Sequence, residues 1–96
     1  MIKNLIIRSY AEQEISDITL WYEERLTGLG KRFLKNLDST LKSILENPLV
    51  YHKVYKNYRR ALLGKFPYGV YYFIEENNIF VFAVYHEKRD PDFWKK

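Results

Sequence analysis

The chain has 96 residues and no cysteine, and its 16 Lys or Arg against 12 Asp or Glu give a formal net charge of +4. This length predicts a single domain over residues 1–96, and the lack of cysteine excludes disulfides and thiolate metal sites. Hydrophobic residues make up 47% of the chain, enough to form a core without covalent cross-links. Aromatic residues make up 18%, which favours a binding surface because aromatic side chains are enriched at interfaces.

No stretch of the sequence is apolar for long enough to cross a bilayer. The longest apolar run extends from Ile79 to Tyr85, whereas a spanning helix needs about 20 residues. Near the start of the chain, Lys3, Asn4 and Arg8 interrupt any signal-peptide core. We therefore expect a cytoplasmic protein that makes no contact with a membrane.

The start of the chain predicts a strand followed by an amphipathic helix. Residues 2–8 are rich in β-branched side chains and too few for a helix, and Ser9 with Glu12 has the spacing of a capping box. From Ala11 to Leu29, apolar residues recur every three or four positions. This spacing places one apolar side of the helix against the core.

A second helix is expected after a short break. Gly28 supplies the residue type that ends helices, and the helical spacing then resumes until Asn47 and Pro48. Because the connection between the two helices is so short, they are expected to form an antiparallel hairpin.

The second half of the chain predicts three strands, over residues 58–63, 70–76 and 79–86. The segment between the second helix and residue 58 is predicted to be a polar connection. Asn77 and Asn78 fit a two-residue hairpin turn, since Asn tolerates positive φ. The predicted class is α+β with the order βααβββ, a small and mostly antiparallel sheet with the N-terminal helical hairpin packed on one face.

Alternation along the strand 70–76 makes both of its faces apolar. Val70, Tyr72 and Ile74 share one face, and Tyr71 and Phe73 share the other. A central strand with both faces covered fits this pattern. One face would pack on the helices, and the second, aromatic face needs a tail or a partner to cover it.

Five cations form a basic cluster within 13 residues: Lys53, Lys56, Arg59, Arg60 and Lys65. Such a cluster suits a phosphate or an acidic protein segment, because these side chains form charge-assisted hydrogen bonds. The alternative is a charged strand edge that prevents pairing with other sheets. Arg59 and Arg60 are neighbours on a strand, so only one of them can face a given site.

The segment after the last strand contains candidates for acid-base chemistry. His86 with Arg89 three residues later could combine a group that titrates near neutrality with a cation that stabilises phosphate. The alternative is structural: Asp90 would cap a turn, and Phe93 and Trp94 would close the core.

No metal site is expected from the sequence. His52 and His86 are far apart in the chain, and neither stands at ligand-like spacing from a pair of carboxylates. The acidic residues of the first helix are expected to form a solvated outer face rather than an acid-base pair. They are Glu12, Glu14, Asp17, Glu23 and Glu24.

Short stretches along nearly the whole chain share a characteristic order and spacing. They are Trp21-Tyr22, Gly28-Leu29-Gly30-Lys31-Arg32-Phe33, Asn47-Pro48, Arg59-Arg60-Ala61-Leu62-Leu63, Phe66-Pro67-Tyr68-Gly69-Val70-Tyr71-Tyr72, Ala83-Val84-Tyr85-His86, Arg89-Asp90-Pro91 and Trp94. With the order βααβββ, the chain resembles the RelE/ParE superfamily, the toxic partners of bacterial type II toxin–antitoxin pairs. The resemblance implies the fold of that superfamily.

The superfamily contains two mechanisms on one fold, so the resemblance leaves two targets open. RelE-like toxins cut messenger RNA in the ribosome, using cations on the sheet and a tail residue that moves a proton. ParE-like toxins bind and poison DNA gyrase. Residues 68–75 contain no Arg or Lys where the nucleases place a catalytic cation, and the ending His86-x-x-Arg89-Asp90-Pro91 resembles the ParE and plasmid-stabilisation branch. The resemblance therefore favours a gyrase-binding toxin over an enzyme, without cofactor or metal.

The resemblance also assigns site residues and a partner. A cognate antitoxin with an acidic, partly disordered tail would fold as it binds across the sheet and the basic cluster. A third alternative is a non-toxic binding module of the family that represses its operon together with the antitoxin. Target or antitoxin binding is expected at Lys53, Lys56, Arg59, Arg60, Tyr71, Phe73, Arg89 and Trp94. Under the nuclease alternative, the catalytic residues would be His86, Arg60, Arg89 and Tyr85.

Overall fold

The computed structural model describes residues 4–88, which form two helices and a five-stranded sheet. In chain order the elements are β1 (Asn4–Ile7), α1 (Ser9–Arg25), α2 (Leu29–Glu46), β2 (Lys53–Tyr55), β3 (Tyr58–Leu62), β4 (Tyr68–Glu75) and β5 (Asn78–His86). The strand order is β1-β5-β4-β3-β2, with β1 parallel to β5 and all other pairs antiparallel. The predicted α+β class is confirmed.

One strand was missed by the sequence analysis. β2 lies in the segment predicted to be a polar connection, and it pairs with β3 at the edge of the sheet. The three residues of β2 are too few to show an alternating pattern. The turn that follows places Lys56 at φ +49°, and the sequence gives no warning of this because lysine is not a residue typical of positive φ. The predicted order βααβββ is therefore wrong by one strand.

The predicted capping box at the start of α1 is also wrong. The N-cap residue is Arg8, with extended backbone and no side-chain hydrogen bond to the helix. Ser9 is already helical, and the backbone N–H of Glu12 donates to the Arg8 carbonyl at 3.0 Å. The first turn of α1 is therefore stabilised by a backbone hydrogen bond, without a side-chain cap.

The break between the helices falls at the predicted glycine. Gly28 has φ +91°, which favours glycine, and precedes α2 as its N-cap. The Glu23 carboxylate accepts the N–H groups of Gly28 and Gly30 at 2.9 and 3.0 Å. Glu23 is exposed, as predicted, and it also caps α2. A Cβ on Gly30 would lie 2.7 Å from the Thr19 carbonyl oxygen, so glycine allows α1 and α2 to approach closely.

The hairpin between β4 and β5 turns one residue earlier than predicted. Glu76 and Asn77 both have positive φ, as a type I′ turn requires. Asn78 instead starts β5, opposite Glu75, and its side-chain oxygen accepts a 3.4 Å hydrogen bond from Asn4 of β1. The second Asn therefore belongs to the strand.

The core lies between the helical hairpin and one face of the sheet. Val70 and Tyr72 of β4 are fully buried there, as predicted from the alternation. At one end of the core, rings of Tyr22, Phe33 and Phe66 pack edge to face or tilted, with centroids 4.9 to 5.7 Å apart. The other fully or nearly fully buried members are Ala11, Leu37, Ile44, Ala61, Leu63, Ile79, Val81 and Val84.

A bulge in β5 changes which side chains face away from the helices. Tyr71 pairs with Ala83 but Tyr72 pairs with Val81, so Phe82 is the extra residue. The backbone N–H of Val84, just after the bulge, donates to the Glu14 carboxylate at 2.9 Å. Glu14 was predicted to be solvated, yet it ties α1 to β5.

Tyr72 links the sheet to the end of α2. Its hydroxyl donates to the Pro48 carbonyl at 2.5 Å. Burial raises the pKa of Tyr72 to about 12, with the nearby Arg59 partly opposing the shift. The Tyr72 hydroxyl is therefore neutral in the folded protein across the physiological range.

We expect stability to fall between pH 10 and about 12 partly because of Tyr72. Below pH 10 the Tyr72 phenol is neutral in both the folded and the unfolded protein. Above pH 10 it loses its proton in the unfolded protein but not yet in the folded one, so the free energy of unfolding falls by at most about 1.4 kcal/mol per pH unit. Tyr72→Phe should flatten this decline, after a loss of about 1 kcal/mol at neutral pH from the missing hydrogen bond. Urea unfolding measured from pH 8 to 12 checks this, and equal pH slopes for both proteins would contradict it.

Neither helix within residues 4–88 combines the length and apolar character needed to cross a membrane.

Candidate interaction surface on the sheet

The sheet has a second face, which points away from both helices. Tyr71, Ala83 and Tyr85 are buried in a small cluster on this side, with Val54 and Phe82 packed against them. Tyr58 contacts Phe73 and Phe82 through its ring, and the register of β3 and β4 places Arg60 beside Tyr71. We call this surface the distal face, formed by Val54, Tyr55, Tyr58, Arg60, Tyr71, Phe73, Phe80, Phe82, Ala83 and Tyr85.

The side chain of Arg60 occupies space on the distal face that is open because Gly69 has no side chain. A Cβ on Gly69 would lie 3.0 and 3.1 Å from Cγ and Cδ of Arg60, so the arginine stem lies across this glycine. Gly69 lies on the central strand β4 and pairs with Tyr85 of β5, so the Arg60 stem extends from β3 over β4. Within residues 4–88, the guanidinium forms no ion pair or side-chain hydrogen bond, so its five donors can serve a partner.

A second cation joins the distal face at its other end. The Arg8 guanidinium lies 5.2 Å from the Phe73 ring centre and 5.1 Å from that of Phe80, and these two rings stack with centroids 5.4 Å apart. Arg8 was not among the residues predicted to bind a partner. Its position on this face follows from the parallel pairing of β1 with β5, which the sequence does not signal.

Arg59 lies on the opposite face from Arg60, as alternation predicts. Its Nη1 donates to the carbonyl oxygens of Leu49 at 3.2 Å and Tyr51 at 2.6 Å. These bonds connect the segment between α2 and β2 to β3. Arg59 therefore has a structural role and, unlike Arg60, does not lie with the predicted binding residues on the distal face.

The other lysines of the basic cluster are dispersed. Lys53 is exposed on the edge strand β2, and Lys56 lies in the following turn with its Nζ 5.4 Å from the Tyr55 ring centre. Lys65 follows β3 and lies near α2 instead. The cluster seen in the sequence is therefore not one patch in space.

His86 lies apart from Arg60 and Tyr85. It ends β5 opposite Tyr68, whose ring packs at 5.2 Å from that of His86 and against the core beneath the helices. The Nδ1 atom of His86 accepts the backbone N–H of Lys88 at 3.0 Å. The structure thus brings Arg60 and Tyr85 to the distal face and leaves His86 on the other side.

Two predicted residues, Arg89 and Trp94, lie outside the described residues, as do Asp90 and Phe93 of the predicted turn and core closure. Of the predicted binding residues, the distal face unites Arg60, Tyr71 and Phe73. Within residues 4–88, no group of three His, Asp or Glu side chains could hold a metal ion. The arrangement is one of aromatic rings and cations, suited to binding another macromolecule.

Comparison with known proteins agrees with this architecture. A solved chain described as "Chromosomal ParDE TA system from P. aeruginosa" superposes with a TM-score of 0.76, over 88% of this chain and 96% of that one, at 12% sequence identity. No curated protein sequence matches the chain. The family model for the "ParE toxin of type II toxin-antitoxin system, parDE" matches residues 5–91. The chain therefore belongs to the ParE toxin family of type II toxin–antitoxin systems.

Proposed function

We propose that this toxin inhibits bacterial growth by binding DNA gyrase through the distal face, without chemistry of its own. The observation that supports this most is the placement of Arg60 among large aromatic side chains, beside Tyr71 and near Tyr85. Arginine and aromatic residues in a partly desolvated setting carry most of the energy of protein interfaces. Gyrase acts on the chromosome, so the proposal includes a cytoplasmic location.

The separation of His86 from Arg60 disfavours the alternative of a messenger RNA nuclease. General acid-base cleavage needs the proton-transferring group and the phosphate-stabilising cation within reach of the same phosphate. Here the two side chains lie on opposite faces of the sheet. In addition, β4 carries no Arg or Lys along the centre of the distal face.

The toxin family implies a cognate antitoxin. We propose that its acidic, partly disordered segment folds over the distal face and neutralises Arg60 and Arg8. The net charge of +4 supports attraction of an acidic partner, and the aromatic rings offer apolar area for a segment that orders on binding. Co-expression of the toxin with its genomic neighbour should yield a complex that copurifies, and failure to copurify would count against this partner.

The target is tested by inducing the wild type and His86→Ala in cells. Growth, the DNA damage response and transcript integrity are followed together. We expect both proteins to slow growth and raise the damage response while transcripts stay intact, because His86 lies away from the distal face. Codon-positioned cuts in transcripts that disappear with His86→Ala would assign the nuclease mechanism instead. Normal growth with the folded wild type would indicate a non-toxic module.

A further inference from the structure

A basic groove runs along α2, away from the distal face. It encloses about 630 Å³ and lies between α2 and the connection from β3 to β4. We call it the α2 groove. Its lining residues are Leu29, Arg32, Lys35, Asn36, Ser39, Lys65 and Phe66.

Three cations line the α2 groove without a carboxylate partner. The ion pairs within residues 4–88 are Arg25 with Glu24 and Lys42 with Asp38, and none involves Arg32, Lys35 or Lys65. Arg32 and Lys35 are three positions apart on one helix, which puts their Cβ atoms about 5 to 6 Å apart. Their charges therefore add along one side of the groove.

Two neutral polar residues complete the lining. Asn36 lies in the lining, and its buried Oδ1 accepts no hydrogen bond from the described residues. Ser39 contributes a hydroxyl one turn further along the helix. Arg, Lys, Ser and Asn side chains are the donors that proteins use on the phosphates of nucleic acids.

We infer that the α2 groove binds the phosphate backbone of duplex DNA. Single strands are held largely by stacking of bases on aromatic rings, but the ring of Phe66 packs edge to face against Tyr22 and Phe33. A peptide would need apolar anchors, and the lining offers only Leu29 beside that ring. A toxin that contacts DNA here could bind next to an enzyme that handles DNA, but the inference does not depend on gyrase.

The inference is tested with DNA alone. Binding of the purified toxin to a fluorescent 20-bp duplex is measured by anisotropy at several salt concentrations. Three phosphate contacts predict a slope of about −2.7 in log K against log salt. We expect the double variant Arg32→Ala with Lys35→Ala to reduce the magnitude of this slope by about 2 and to weaken binding at least tenfold at low salt. The double variant Arg32→Lys with Lys35→Arg should keep the slope and the affinity of the wild type.

The control removes the same charge from α2 outside the groove. Lys31 and Lys42 are exposed on that helix and do not line the groove, so Lys31→Ala with Lys42→Ala should bind nearly as well as the wild type. Equal losses in both double variants would overturn the inference in favour of general charge attraction. Absence of wild-type binding would overturn it too, as would tighter binding of single-stranded RNA or of a poly-glutamate peptide through the same residues. Since gyrase is not in the assay, none of these results depends on the proposed target.

Discussion

Replacing Arg60 by Ala is expected to remove most of the growth inhibition while the domain stays folded. The guanidinium has no hydrogen-bond or ion-pair partner within residues 4–88, so its loss breaks no such bond among them. At the centre of an interface, loss of an arginine costs about 2 kcal/mol or more, which is roughly a thirtyfold weaker complex. Growth after graded induction, together with thermal unfolding of the purified variant, measures both effects.

The neighbouring Arg59→Ala is the matched control for Arg60→Ala. Its two bonds to the Leu49 and Tyr51 carbonyls are charge-assisted, so its loss should lower stability by about 2 to 4 kcal/mol. Arg59 was predicted to bind target or antitoxin together with Arg60 and Lys56, but its contacts lead us to expect a loss of stability instead. Our assignment would fail if Arg60→Ala unfolded the domain, or if Arg59→Ala lost toxicity with unchanged stability.

Phe33→Ala is expected to be the most damaging single change to the fold. The ring is fully buried and contacts Tyr22, Phe66 and Tyr68 with centroids 5.5 to 5.9 Å away. Removing such a side chain typically costs about 3 to 5 kcal/mol, a large part of the 5 to 15 kcal/mol that stabilises an ordinary domain. Urea unfolding, followed by the Trp fluorescence of the chain, gives the loss directly.

The adjacent Leu34 provides the control for Phe33. Its side chain is 41% exposed, so Leu34→Ala should cost about 1 kcal/mol or less. Similar losses for Leu34→Ala and Phe33→Ala would show that the core at this end of the hairpin is not packed as described.

Much of the fold follows from local patterns. The helical spacing, Gly28 and Asn47 defined the hairpin well, because an amphipathic helix repeats its signal over several turns. β2 gave no such signal, since its three residues are held by pairing with β3. The hydrogen bonds of Glu23 and Glu14 were not predicted, because the turn between the helices brings Gly30 to Glu23, and the packing of α1 on β5 brings Val84 to Glu14.

The candidate site was predictable to a similar extent. Alternation placed Tyr71 and Phe73 together and separated Arg59 from Arg60. Which arginine joins the aromatic face could not be deduced, because that depends on the register of β3 against β4. The binding position of Arg8 depends likewise on the parallel pairing of β1 with β5. Arg32 and Lys35 meet Lys65 only through packing of α2 near the loop after β3.

The central claim is that this ParE-family toxin disables gyrase through the distal face. The most direct measurement is DNA supercoiling by purified gyrase with added wild type or Arg60→Ala toxin, with broken DNA quantified in the same samples. The account predicts that the wild type reduces supercoiling and accumulates broken DNA, while the folded Arg60→Ala variant does neither. Unimpaired supercoiling with the wild type, together with cleavage of messenger RNA on purified ribosomes, would contradict it.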